Sequence, residues 1–144
     1  MKQLIIVRKD LQMSAGKVAS QVAHASMAFL SADIHRNIKY DNHMYHTQIT
    51  FSEDEYEDWF MDSFTKIICE AKNNSQLLKA TEIANTLGLK YDHDYFFIWD
   101  VCRTEITPED INELGVGRTL TCIGFRPLPD NVYQQISKKY QLYS

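Results

Sequence analysis

The chain has 144 residues and a net charge of −4, with 44% hydrophobic and 24% charged residues, which is typical of one soluble folded domain and excludes a disordered or fibrous chain. Its N-terminal apolar run stops at Arg8, too early for a signal peptide or a membrane span. The three cysteines are widely spaced and form no disulfide or zinc pattern, so we expect a cytoplasmic protein without metal or other cofactor.

The first part of the chain predicts a strand followed by a helix. "QLIIVR" (3–8) is a short run rich in β-branched apolar residues, as in a buried strand. After a turn, Ser14 stands in the N-cap position of a helix that we expect to continue to about Leu30. The small residues of this helix would allow it to lie close to a sheet.

Residues 31–62 are polar, aromatic and acidic, and we expect them to form an irregular excursion. "SEDE" (52–55) has the capping-box pattern, which predicts a short helix through Trp59 and Phe60. Positive charge is concentrated before this segment and negative charge within it. The overall charge of −4 therefore does not exclude a basic face that binds nucleic acid.

The second half of the chain alternates strands with helices. Apolar patterns predict strands at 64–71, 95–100 and 118–125 and helices at 74–89 and 130–140. This order indicates one three-layer α/β domain over residues 1–144, with a parallel or mixed sheet. In open sheets of this kind, ligands bind beyond the carboxyl ends of the strands.

Three polar residues, Lys17, Gln21 and His24, interrupt the first helix and fall within about 60° of one another. Such a stripe fits the edge of a packed face that borders a cleft. Lys17 lies in the first turn, where the helix dipole disfavours a cation, so a bound anion is one explanation for it. The alternatives are that Lys17 is solvated and that Gln21 and His24 satisfy neighbouring backbone groups.

A second polar cluster, "DVCRTEIT" (100–107), directly follows the third predicted strand. It offers a carboxylate, a guanidinium and two hydroxyls at the edge of the sheet where ligands bind. The alternatives are that Asp100 and the threonines stabilise a turn and that Arg103 pairs with Asp100.

The segment "RKDLQMSAGKVASQVAHASMAF" resembles the R-x-DL-x-M-x-x-GK-x-A-x-Q-x-AHA signature of the second family of peptidyl-tRNA hydrolases, the archaeal and eukaryotic type. Later segments, "SFTKII", "ANTLGL", "DVCRTEIT" and "RTLTCIGF", look like the remaining blocks of that family in the same order. The resemblance implies a four-stranded mixed sheet flanked by helices, a homodimer, and no metal. It also implies a carboxylic ester hydrolase that cuts the bond between a peptide and the 3′-terminal ribose of tRNA and so recycles tRNA.

The resemblance places the catalytic residues of the family at Lys17, Asp100 and Thr104. Its substrate-binding glutamine and histidine fall on Gln21 and His24, and its arginine on Arg103. The second site threonine corresponds to either Thr107 or Thr119, because "PEDINELGVG" (108–117) replaces a short turn of the family. A further departure is Cys102, which stands where the family has a glycine.

Ester hydrolysis needs an activated water and stabilisation of an oxyanion. Asp100 would orient or deprotonate the water, Lys17 would bind the oxyanion or the terminal phosphate, and Thr104 would hold the aspartate or the ester. His24 is a second candidate base, although we expect it to have a packing role. Phosphates of the tRNA would contact basic residues, and the candidates are Lys2, Arg8, Lys9, Arg103, Arg118 and Arg126.

There are three alternatives to this interpretation. Cys102 and the rebuilt 108–117 loop would suit a non-catalytic tRNA- or protein-binding module on the same fold. A nucleotide-binding domain is disfavoured, because no phosphate-binding glycine motif follows the first strand. A metal site would require three histidines of the excursion to converge, namely His35, His43 and His46.

Overall fold

The computed structural model describes residues 1–144 and is built on a mixed β-sheet with helices on both faces. In chain order the elements are β1 (Gln3–Arg8), α1 (Ala15–Asn37), β2 (Lys39–Asp41), β3 (Met44–His46), a π-helical segment (Glu55–Ser63), β4 (Lys66–Ala71), α2 (Asn74–Thr86), β5 (Tyr95–Asp100), β6 (Asp110–Ile111), β7 (Gly117–Phe125), α3 (Asp130–Ser137) and β8 (Gln141–Leu142).

The sheet has the strand order β5-β7-β1-β4-β8, and β6 pairs with the first part of β7. β1 is central, parallel to β4 and antiparallel to β7, while β5 is an edge strand antiparallel to β7. The predicted mixed sheet flanked by helices is therefore confirmed. The predicted count of four strands is wrong, because β6 and β8 have two residues each and are too short to show a hydrophobic pattern.

The alternation of side chains along β1 creates two cores. Ile5 and Val7 pack under α1 with Ala25, whereas Leu4 and Ile6 pack on the opposite face against α2 and α3. α1 lies directly on β7 at Gly124, where an added Cβ atom would stand 2.5 Å from the carbonyl oxygen of Ala25. The small residues of α1 thus bring this helix close to the strands that carry the candidate site.

The excursion at 31–62 is more regular than predicted. α1 continues to Asn37 instead of ending near Leu30, and β2 and β3 then form a hairpin. The sequence pattern missed this extension because its small and polar residues bury little apolar surface. The mostly exposed hairpin lacks a buried face whose pattern would predict it.

The capping box and the short helix through Trp59 are confirmed, although the helix has π geometry. The Glu55 amide donates to Ser52 Oγ at 3.1 Å, and the Ser52 amide donates to Glu55 Oε1 at 3.4 Å. Trp59 is buried, and its Nε1 donates to the carbonyl of Thr65 at 2.9 Å. This segment is therefore anchored next to the start of β4.

Candidate active site

Asp100 and Lys17 meet where the carboxyl end of β5 approaches the first turn of α1. Lys17 Nζ lies 3.0 Å from each carboxylate oxygen of Asp100. The Lys17 side chain is 11% exposed and that of Asp100 is 13% exposed. The pair is thus largely buried but still partly open to solvent. Either charge would be costly to bury without the other.

Two further donors fix the orientation of the Asp100 carboxylate. Gln21 Nε2 lies 3.4 Å from Oδ1, and the Cys102 amide donates to Oδ2 at 3.0 Å. Gln21 is itself buried, and its Oε1 accepts from the Thr121 hydroxyl at 2.5 Å. Lys17 and Gln21 of the polar stripe therefore both face Asp100, and β7 holds the second of them in place.

Thr104 completes the group of predicted catalytic side chains. Lys17 Nζ donates to Thr104 Oγ1 at 3.2 Å, and Thr104 is exposed. The ammonium of Lys17 is thus shared between a carboxylate and a hydroxyl. The structure brings together all three residues that the family resemblance placed at the catalytic centre.

Glu105 attaches the loop after β5 to the start of α1. Its carboxylate accepts from the Ser14 amide at 2.9 Å and from the Ser14 hydroxyl at 2.5 Å. Ser14 also caps α1, because its Oγ accepts from the Lys17 amide at 3.2 Å. The Ser14 hydroxyl bond, with the Ser14 amide and the charge of Lys17, lowers the pKa of Glu105 below its ordinary value. No local pattern indicated this residue, because its partner lies 91 positions away.

Cys102 stands in the left-handed region of backbone conformation, with φ of 61°. Only glycine adopts this conformation without a steric cost, which for other residues is about 1–2 kcal/mol. The conformation turns the Cys102 amide towards Asp100, as the contact with Oδ2 shows. The residue that replaces the family's glycine therefore keeps the backbone of the turn under strain.

Cys102→Gly should raise the free energy of unfolding by about 0.5–1 kcal/mol, because relief of strain exceeds the added flexibility of the unfolded chain. For a chain of this size that corresponds to a melting temperature higher by about 2–4 °C, measurable by calorimetry. Cys102→Ala is the matched control, since it removes the thiol but keeps the Cβ atom. An equal gain in the free energy of unfolding in both variants would show that the thiol, and not backbone strain, is responsible.

Arg8 has a different environment from that expected of a phosphate-binding residue. It is 3% exposed, forms ion pairs with Asp10 and Glu109, and donates to the carbonyl of Leu120 at 3.2 Å. Burial by itself lowers the pKa of Arg8, but the two carboxylates outweigh it and raise the pKa above the ordinary value. Arg8 is therefore unavailable to tRNA and instead connects β1 to the loop before β6.

Of the two candidates for the second site threonine, only Thr107 is accessible. Thr119 is fully buried, donates to the carbonyl of Thr107 at 2.8 Å and accepts from the Glu109 amide at 3.0 Å. A direct contact between Thr119 and a substrate is excluded by this burial. Thr119 instead holds the loop that carries Thr107, which is exposed.

His24 is exposed on the same side of α1 as Gln21, so the expected packing role is wrong. It borders a surface groove, one helical turn beyond Gln21. Arg103 is exposed and forms no ion pair with Asp100, contrary to one of the two alternatives.

The remaining basic candidates have neighbours of their own. Arg118 bonds Asp110 at 2.7 Å and stacks its guanidinium 3.7 Å from the centre of the Trp99 ring. Lys9 Nζ lies 4.3 Å from the ring centre of Tyr143. Lys2 lies over Tyr133, and Arg126 pairs with Glu55. Arg103 thus remains the basic side chain nearest to Thr104 without a carboxylate partner.

The largest surface cavities, of about 610, 560 and 550 Å³, include neither Lys17 nor Asp100. The candidate site lies between α1, β5 and the loop 101–109, outside these three cavities, and is exposed mainly at Thr104. The structure contains no group of three or more histidine, cysteine or acidic side chains placed to hold a metal ion, so the convergence of His35, His43 and His46 does not occur. None of its helices is both long enough and apolar enough to span a membrane.

Comparison with known proteins gives a consistent result. The model of the family described as peptidyl-tRNA hydrolase PTH2 matches residues 1–143. A protein of Methanopyrus kandleri named peptidyl-tRNA hydrolase is 34% identical over 117 residues, which is 81% of this chain and 83% of that protein. Proteins of the same name from Saccharolobus islandicus and Saccharolobus solfataricus are 26% identical over 141 residues, 98% of each chain.

Proposed function

The chain belongs to the peptidyl-tRNA hydrolase PTH2 family and hydrolyses the ester between a peptide and tRNA, and we propose that Lys17, Asp100 and Thr104 carry out this reaction. The observation that carries the proposal is the contact of Lys17 Nζ with both oxygens of Asp100 and with Thr104 Oγ1.

In the proposed mechanism Asp100 orients a water molecule for attack on the ester carbonyl. The water oxygen bonds to the carbonyl carbon and transfers a proton to the Asp100 carboxylate. The bond from this carbon to the ribose oxygen then breaks, and the proton passes to that oxygen. The products are a peptide with a free carboxyl group and a tRNA with a free 3′-hydroxyl.

Lys17 stabilises the oxyanion that forms on the carbonyl oxygen. Its ammonium has three N–H donors. In the free enzyme these donors bond Asp100 and Thr104. The carbonyl oxygen of the substrate replaces Thr104 at one donor, and Thr104 is then free to bond the ribose or the ester. A largely dry ammonium stabilises developing charge better than one in bulk water.

A non-catalytic module on the same fold is not favoured. The departures that suggested it were Cys102 and the 108–117 loop. Cys102 adopts a left-handed backbone conformation that glycine adopts without strain, and its amide reaches Asp100. Glu109, at the start of the rebuilt loop, pairs with Arg8 and so holds that loop beside β1 and β7. Both departures thus preserve the site.

Gln21 contributes to the reaction by holding Asp100, and the tRNA body is held by electrostatic contacts with its phosphates. Arg103 is exposed and Arg118 is partly exposed, so both are available for such contacts, as Arg8 is not. Lys9 is also exposed, but it lies over the Tyr143 ring and is available only if its side chain leaves that ring. His24, one helical turn beyond Gln21, and Thr107, three residues after Thr104, are both exposed and contact the ester-bearing end of the substrate. Binding through phosphates weakens as salt concentration rises.

The direct test is release of free tRNA from an N-acetylated aminoacyl-tRNA by the purified protein. Turnover should persist with a chelator, because the proposed chemistry uses only side chains. Absence of turnover by a folded protein that still binds tRNA would contradict the assignment and favour the binding module.

We also propose that the protein forms a homodimer and acts in the cytoplasm, where peptidyl-tRNA is produced. Support for a dimer comes from a groove of about 560 Å³ on the other side of α1, whose lining is apolar except for Lys9 and includes Val18, Val22 and Tyr143. Light scattering should give about twice the chain mass of 16.8 kDa. The single-chain mass at micromolar concentration would contradict the dimer.

A further inference from the structure

A second groove, of about 610 Å³, runs beside the candidate site between α1 and the edge strand β5. One wall consists of α1 residues spaced three or four apart, including His24, Met27, Ser31 and His35, and the other includes Phe97 and Ile98. His24 is one helical turn beyond Gln21, and Ile98 is two residues before Asp100. The groove therefore begins about 5–7 Å along α1 from Gln21 and along β5 from Asp100.

The wall formed by β5 presents unpaired main-chain groups. The carbonyl of Ile98 accepts from the Thr121 hydroxyl of β7, so the main chain of Ile98 faces β7. Main-chain groups alternate between the two sides of a strand, and those of Phe97 and Trp99 consequently face outward. The Phe97 ring packs on the opposite face of the sheet, so this residue lines the groove with its main chain.

Nothing in β5 protects this edge against pairing with another strand. Edge strands usually carry proline, lysine or a covering segment, but Tyr95–Asp100 is "YFFIWD". The loop before it pairs with the strand only at the first residue, through the bridge between Tyr91 and Tyr95, and its Asp92 lines the groove. The opposite wall exposes 55% of Met27, a flexible side chain that adapts to different partners.

We propose that this groove binds the peptide part of peptidyl-tRNA as an extended segment paired with β5. The inference rests on the proposed function, since the peptide is covalently attached to the ester carbonyl that must lie at Asp100. Ribosomal peptides share no side-chain sequence, and main-chain pairing to a sheet edge is a recognition mode that does not depend on it. The peptide and β5 both place their carboxyl ends at Asp100, so the two run parallel.

The dimensions of the groove set the number of peptide residues that it holds. From His24 to His35 α1 rises about 16 Å, which corresponds to about five extended residues at 3.3 Å each. The residue that carries the ester lies at Lys17 and Asp100 itself. Contacts should therefore increase from the second residue of the peptide and end near the sixth.

The test is the kcat/KM for substrates that share one tRNA and one C-terminal residue but carry one, two, four, six or eight residues. The shortest is the N-acetylated aminoacyl-tRNA. We expect a rise of about tenfold or more from one to six residues, as expected for two or three net main-chain hydrogen bonds, and no rise beyond six. N-methylation of one peptide amide at a time should lower the rise in kcat/KM only at every second position, where the amide would pair with β5.

Met27→Glu should reduce this gain, because it places a charge in the groove, and should leave hydrolysis of the shortest substrate within about twofold. Ala23→Glu is the matched control, since Ala23 is exposed on the same helix outside the groove. Any repulsion of tRNA is common to both variants and cancels in the ratio of long to short substrates.

Three outcomes would overturn the inference. Equal kcat/KM for all peptide lengths, with the shortest substrate hydrolysed, would show that the groove does not bind the peptide and would leave the proposed function intact. If Met27→Glu lowered kcat/KM equally for short and long substrates and Ala23→Glu did not, the groove would bind the tRNA end of the substrate and not the peptide. Failure to hydrolyse any substrate would overturn the proposed function and this inference with it.

Discussion

Asp100→Asn should lower kcat/KM for peptidyl-tRNA by about 10²–10⁴, the range expected when a positioned general base is lost. The amide has nearly the shape of the carboxylate, so Oδ can still accept from the Cys102 amide and from Lys17. It cannot take a proton from water at neutral pH. The loss should therefore appear mainly in kcat, with tRNA binding close to that of the parent.

Asp54→Asn is the matched control for this variant. Asp54 is exposed, next to the π-helical segment, and its side chain makes no capping hydrogen bond. The same change of charge there should alter kcat/KM by less than about twofold. If Asp100→Asn lost no more than this control while keeping its fold by circular dichroism, Asp100 would not be the base.

Lys17→Ala should lower kcat/KM by about 10²–10³, as is typical for loss of one oxyanion donor. It also leaves the Asp100 carboxylate, 13% exposed, without its cation. Breaking a largely buried pair from one side is destabilising, and the remaining exposure reduces the expected loss in the free energy of unfolding to about 1–3 kcal/mol. Kinetics at saturating substrate and a thermal melt measure the two effects separately.

Lys17→Arg separates the catalytic from the stabilising role of the charge. Arginine restores a cation beside Asp100, so most of the stability should return. Its planar group cannot place one donor on Asp100 and another on the oxyanion in the same way, so activity should stay low. For Lys17→Ala, which does remove a positive charge, the control is Lys90→Ala, a change at an exposed lysine.

Full activity in Lys17→Arg would show that Lys17 supplies charge alone. The combined Lys17→Ala and Asp100→Ala variant should lose little more activity than either single change, because the two side chains act as one unit. Losses that simply multiply would mean that the two residues act independently.

Local sequence patterns determined the elements with a buried face. The strand predicted at 95–100 is β5 with the same bounds, and the strand at 3–8 is β1. Ser14 caps α1 and Ser52 forms its capping box with Glu55, as their spacing indicated. These features depend on neighbours within about four residues or on one consistent hydrophobic period, both of which are visible in a single sequence.

The candidate site was only partly predictable. The stripe of Lys17 and Gln21 was evident from helical spacing, but the family resemblance was needed to connect it with Asp100, 83 residues away from Lys17. The same spacing that placed His24 on the stripe could not show that it would be exposed. Arg8 and Thr119 were expected at the substrate, but both are buried and instead hold the loop 101–109 in place.

The sequence by itself therefore determined which segments fold as strands and helices, where the best helices begin, and which polar residues interrupt apolar faces. Only the tertiary structure decided which of those polar residues meet each other, which face water and how the edge of β5 is left open. The physical reason is that burial and pairing depend on contacts between segments distant in the chain. The contact of Glu105 with Ser14 and the ion pair of Arg8 with Glu109 exist only once β7 and α1 are in place.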